Sequence, residues 1–260
     1  MAFHTDFPSI QSEVSPQEWQ ARLDLAATYR LVDLYGMTDL IYNHITLRIP
    51  GTDHLLINLY GLLYREITAS SLAKIDLQGN ILWKPDTEYG INRSGFVIHG
   101  CIHEARPDVK CVLHTHTRAG MAVSTMKCGL LPLTQTGIRF EGHLAYHDYE
   151  GVALDHAERP RLQQDLGQKD MMLLRNHGTL TLGRTCAEAF VKMYFLERAC
   201  AMQVRTQAIL GGLEPYPTQA EVIAKNAALM HGPGTADLSQ KLVWPALIRK
   251  LERICPDYVQ

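Results

Sequence analysis

No stretch of this 260-residue chain approaches the roughly 20 consecutive apolar residues that a membrane-crossing helix needs, so a helical membrane protein is excluded. Charge of one sign is not in excess either. The 25 basic and 27 acidic residues leave a formal net charge of −2, which gives no electrostatic footing for nucleic acid or an anionic membrane. The six cysteines form no Cys-x-x-Cys pair and sit in apolar or helical text, which reads as buried thiols in a reducing compartment. Met1–Asp6 lacks the basic and apolar regions of a signal peptide, and the expectation is a cytoplasmic protein. Internal repeats, low-complexity segments and linkers are lacking as well.

What is present is a large apolar fraction, 46% of the chain, enough for the core of one large domain. Ser15-Pro16-Gln17-Glu18 is a capping-box helix start. Trp19, Leu23, Ala26 and Tyr29 follow at helical spacing until Gly36 stops the helix. Short β-rich runs occupy about residues 41–83, the last two forming a predicted hairpin around Gly79-Asn80. A helix over about 95–106 ends at Pro107. A strand into His114, a helical stretch near 119–126 and a turn-rich section around Phe140-Glu141-Gly142-His143 come next. Thr185-Cys186-Ala187-Glu188 opens a long helix that ends at Gly211-Gly212, and Thr218-Gln219-Ala220-Glu221 opens a third. The tail over 239–254 is helical in pattern, kinked or divided at Pro245. The expected organisation is an N-terminal arm over residues 1–14, an α/β domain over 15–212, and a helical C-terminal extension over 213–260 packed on the same domain.

The most informative motif is His114-Thr115-His116, at the end of an apolar run. Two histidines two positions apart on a strand project from one face. They can hold one divalent ion if a third ligand arrives from elsewhere. His177, in Arg175-Asn176-His177-Gly178 at the close of a second apolar run, is the candidate. A lone strand histidine is more often a packed core residue, but two imidazoles buried side by side are costly without partners. Three histidines with an open coordination position form the catalytic pattern rather than the closed structural one. His44 and His99 read as packed helix or loop histidines, and His4, His54, His156 and His231 as surface residues.

Asn43-His44-Ile45-Thr46-Leu47-Arg48, Asn58-Leu59-Tyr60-Gly61, Ala105-Arg106-Pro107-Asp108, His114-Thr115-His116 and Arg175-Asn176-His177-Gly178 together resemble the class II aldolase/adducin family in order and spacing. The resemblance implies a three-layer α/β/α sandwich with a mainly antiparallel central sheet. It also implies a homotetramer, with His114, His116 and His177 binding zinc or another divalent cation (Mn²⁺, Co²⁺ or Fe²⁺). By the same resemblance Asn43, Gly61 and Ser94 fit the family's phosphate loops. Tyr60 and Arg93 depart from that pattern, although the planar fork of Arg93 suits a carboxylate as well as a phosphate.

The main departure is Gly95, which stands where the family's aldolases carry the acid/base carboxylate, four residues before His99. Glycine cannot shuttle a proton, and the variant looks closer to the adducin-like branch. Glu141 is the replacement acid/base candidate, on a stretch that the family fold sets near the metal entrance or a neighbouring subunit; His143, Tyr146, His147 and Tyr149 are weaker ones. The expected function is that of a divalent-metal-dependent lyase or isomerase, zinc-bound, acting on a small hydroxy-carbonyl or keto-acid through an enediolate-like intermediate. The alternatives are an adducin-like binding or assembly module without turnover, and a non-haem-iron oxidative decarboxylase on the same fold. The expected partners are a small-molecule substrate and further copies of the chain, with no nucleic acid and no membrane.

Overall fold

The computed structural model describes residues 6–151, 158–232 and 234–260. Helix α1 (Pro16–Leu34) opens as its sequence dictates, with Ser15 Oγ accepting from the Glu18 amide at 3.1 Å. Glu18 does not complete the capping box. Its carboxylate instead takes the fully buried Arg22 at 2.9 Å and Lys74 at 3.1 Å, because an interior guanidinium needs a counter-charge more than a helix end needs a second cap.

Four short strands follow: β1 (His44–Arg48), β2 (Leu55–Ile57), β3 (Ala73–Ile75) and β4 (Ile81–Trp83). The β3–β4 turn is the expected hairpin: Gly79 sits at φ +82° and Asp76 N–H donates to Asn80 O at 3.0 Å. Then come α2 (Arg93–Ala105), β5 (Cys111–Thr115), α3 (Arg118–Ser124) and α4 (Gln135–Ile138). Two elements absent from the sequence reading succeed them, β6 (Leu144–His147) and α5 (Arg159–Leu166), before β7 (Met171–Leu174) and β8 (Gly178–Gly183). Helix α6 (Cys186–Leu210) is capped by Thr185 and stopped by left-handed Gly211, as predicted. Helix α7 (Ala220–Met230) starts one residue later than its motif suggests and has no side-chain cap, so Thr218 is not its N-cap. The short α8 (Thr235–Leu238) leads through a π-helical turn, Ser239–Val243, into α9 (Trp244–Ile254), with Pro245 in its first turn, which divides the tail.

The eight strands form one sheet in the order β4-β3-β2-β1-β5-β8-β7-β6. Every neighbour pair is antiparallel except β6–β7, which is parallel, so the sheet is mixed but mainly antiparallel. Strand alternation sorts the side chains of β5: Cys111 and Leu113 pack with α1 and α6, while Val112 packs with α2 and α5 on the other face. Helices on both faces make the three layers. No helix among the described residues is long and apolar enough to cross a membrane. Four of the cysteines are buried, whereas Cys128 is exposed in the turn before Gly129 and Cys255 is half-buried at the end of α9.

Candidate metal centre

His114 and His116 follow Val112 in the alternation, so they leave the sheet on the α2 face. His177 reaches them from the three-residue β7–β8 loop, which Leu174 and Gly178 close as a register pair. Asn176 takes a left-handed φ of +55°, a conformation asparagine tolerates better than most residues. At Gly178 a Cβ would lie 2.5 Å from the Thr115 carbonyl and 3.1 Å from the His116 ring. Only glycine lets the loop approach the His-Thr-His strand this closely.

The three ring centroids are 4.7–4.8 Å apart, and one nitrogen from each ring falls within 4.8 Å of the others. Their second nitrogens fix the tautomers. His114 Nδ1 lies 2.9 Å from the Thr179 carbonyl and His116 Nδ1 lies 3.1 Å from Asp39 Oδ2. A backbone carbonyl and a carboxylate oxygen both accept, so both Nδ1 atoms donate. The two Nε2 atoms then face one another at 2.9 Å; in the neutral rings that a metal requires both present lone pairs, and a cation between them would take both. Two nitrogens of a tetrahedral zinc site stand about 3.3 Å apart at normal Zn–N lengths, so the His114 and His116 nitrogens fit a metal with a shift of a few tenths of an ångström, while the His177 nitrogen lies within 4.8 Å of them. Burial holds the pKa of His114 well below its usual value and brings His177 down to about 4, leaving neutral imidazoles of the kind a metal binds.

A second group of imidazoles backs the first. β1 pairs with β5 so that His44 stands opposite His114, with ring centroids 6.0 Å apart. His44 therefore belongs to a strand beside the cluster, not to a helix or loop, and its ring lies 4.0 Å from His99 of α2. Thr46 Oγ1 bridges His99 Nδ1 at 2.9 Å and His103 Nε2 at 2.8 Å. Of the other histidines, His54 is exposed and His231 is half-buried, stacked on His143 at 3.6 Å. His4 and His156 lie outside the described residues.

Asn43 is brought to the site. It is buried at φ +74°, its Oδ1 receives the His116 amide at 3.4 Å, and its Nδ2 has no partner among the described residues. Gly61, at φ +121°, is held against the Tyr89 ring, and its neighbour Tyr60 lies 6.3 Å from Tyr42, so the two loops adjoin. Arg93 is exposed and lines a separate cavity of about 340 Å³ with Gln78, Gly79 and Phe96, none of the three histidines sharing its walls. The Ser94 side chain is outside the described part of the structure. Glu141 is exposed on the turn before β6. Because β6 runs parallel to β7, this turn lies at the start of both strands, whereas His177 follows the end of β7. Within one chain Glu141 is thus carried to the opposite end of the sheet. Tyr149, half-exposed, lies nearer, its ring 6.2 Å from His177. Sequence reasoning missed Asp39 and the Thr179 carbonyl, since neither carries a spacing signal and strand register alone brings Thr179 to His114.

The family model for the class II aldolase and adducin N-terminal domain matches residues 23–204. A Pseudomonas aeruginosa protein that carries an aldolase class 2 name is 48% identical over 261 residues, covering 100% of this chain and 99% of its own. Rat alpha-adducin is 44% identical over 243 residues, 90% of this chain but 33% of the adducin. The crystal structure of an aldolase II superfamily protein from Pseudomonas syringae superposes with a TM-score of 0.89 at 50% identity, covering 96% of this chain and 99% of the other.

Proposed function

Since the chain belongs to the class II aldolase and adducin N-terminal domain family, we propose that it is a divalent-metal-dependent enzyme, zinc being its metal, that performs lyase or isomerase chemistry on a small hydroxy-carbonyl or keto-acid. The observation that carries this reading is the convergence of His114 Nε2 and His116 Nε2, 2.9 Å apart, with His177 beside them. His114 Nε2, His116 Nε2 and His177 hold the ion, which when bound supplies Lewis-acid polarisation of a substrate oxygen. Asp39 and the Thr179 carbonyl keep the ligand nitrogens aimed. Asn43 Nδ2 donates to the substrate, and Gly61 and Ser94 shape the loops that receive it. Tyr149, its ring 6.2 Å from His177, is this chain's acid/base candidate beside the site; Glu141 acts there only from a neighbouring copy in a homotetramer. Assembly is supported by the apolar side chains Ile209, Leu213, Tyr216 and Leu229, all well exposed in the single chain.

Titrating the metal-free protein with Zn, Mn, Co and Fe(II), followed by a screen of small hydroxy- and keto-acids, tests the reading. One ion per chain is expected, lost when His114 and His116 are replaced by alanine; metal content that survives the double substitution rejects the site. A preference for Fe(II) with uptake of oxygen would move the assignment to oxidative decarboxylation. A second reading, an adducin-like assembly module without turnover, is favoured by Gly95 in place of the acid/base carboxylate. It predicts that no acid in the screen raises the melting temperature of the metal-loaded protein.

A further inference from the structure

A cavity of about 630 Å³ opens at the end of the sheet away from the histidines, between the start of β7, the end of β8 and the stretch around α8. A volume of roughly 300–1,000 Å³ suits a small organic molecule. Its ionic lining is not balanced. Asp108 and Asp170 are taken by Arg106 at 2.8 and 3.0 Å, Asp170 also by Lys192 at 3.0 Å, and Glu188 by Arg184 at 3.2 Å. One lining cation remains, Arg139. Its guanidinium lies 4.1 Å over the Phe195 ring and 3.5 Å from Met230 Sδ, and no carboxylate among the described residues pairs with it. Burial lowers its pKa and no acidic neighbour opposes the shift.

A half-buried guanidinium stacked on an aromatic face, its fork left to a sulfur and to a polar cavity, is an ion pair lacking its anion. Gln168, Thr235 and Ser239 add hydrogen-bonding groups to the same walls. We propose that this cavity is a second ligand site, distinct from the metal centre, that takes a small organic anion whose carboxylate or phosphate pairs with Arg139. Because its wall includes Thr235 and Ala236 of α8, an occupant would tie the C-terminal stretch to the sheet.

Calorimetric titration of the full chain with malonate and, separately, inorganic phosphate tests this, the two arms telling carboxylate from phosphate. Saturable binding of at least one probe is expected. Arg139→Gln should weaken it about tenfold or more, the scale of a charge-assisted hydrogen bond. The His114→Ala, His116→Ala protein should bind as the parent does, which separates this site from an anion held at the metal centre. No saturable binding of either probe, unchanged affinity in a folded Arg139→Gln protein, or loss of binding in the folded histidine variant overturns the proposal. Should circular dichroism show Arg139→Gln unfolded, Ala236→Phe, which narrows the cavity without removing a charge, decides in its place: weakened binding supports the site and unchanged binding rejects it.

Discussion

The ligand atoms of the candidate centre are selected by groups that would not touch the ion. Asp39 takes the Nδ1 hydrogen of His116, and the Thr179 carbonyl takes that of His114. Of the two, only Asp39 can be altered through a side chain. Asp39→Asn preserves shape but can turn an amide donor toward Nδ1, which favours the tautomer whose Nε2 carries hydrogen and cannot bind metal. Metal affinity should fall roughly 10–100-fold, the usual effect of losing an outer-sphere carboxylate, while the fold is kept. Competition against a chromogenic chelator reads this directly, and an affinity equal to the parent's would show that something other than Asp39 orients His116. At this scale the sequence is informative about the ligands and silent about their supports. A period of two puts His114 and His116 on one face whatever the rest of the chain does. Asp39 sits in an irregular segment after Gly36, and its meeting with His116 depends on tertiary path alone.

The β7–β8 loop decides whether His177 can join the pair. Its closeness depends on Gly178, where an added methyl would press on the Thr115 carbonyl at 2.5 Å. Backbone cannot yield as a flexible side chain can, so Gly178→Ala should cost about 1–3 kcal/mol, the usual penalty for overpacking. It should also lower metal occupancy by pushing the loop away from β5. Thermal melting with and without zinc separates the two effects; a variant that loses stability yet binds zinc at parental affinity would show that the loop can slide without spoiling the site. The caps of α1 and α6 and the β3–β4 hairpin were legible in the text because each depends on residues within four positions of one another. The β6 strand was not. Leu144–His147 is too short to show a period, and its parallel pairing with Met171–Leu174 is a long-range event. The family resemblance sets Glu141 near the metal entrance or a neighbouring subunit; the parallel pairing carries it, within one chain, to the other end of the sheet.

Across the whole molecule, burying a bank of imidazoles on the α2 face should make folding sensitive to acid. Burial holds His99 and His114 well below their usual pKa and brings His103 to about 3 and His177 to about 4. In the unfolded chain each ring returns to an ordinary value near 6.5. As pH falls through that value the unfolded chain takes up protons that the folded chain refuses, so the unfolded state binds more protons and stability drops. The contribution of these groups is therefore complete above about pH 6.5 and is lost progressively down to the folded values of about 4 and about 3. For the fully buried His103 alone the loss between pH 7 and pH 5 is about 2 kcal/mol. Urea unfolding of the metal-free protein at the two pH values measures it. The midpoint should fall on acidification, and the fall should be smaller in His103→Gln, which removes one of the titrating rings. Bound zinc should steepen the acid loss further, because its ligands must stay deprotonated. A midpoint that holds steady from pH 7 to pH 5 would mean that these rings are hydrated or already paired with charge in the folded protein, and the neutral, closely opposed donors on which the metal assignment rests would lose their basis.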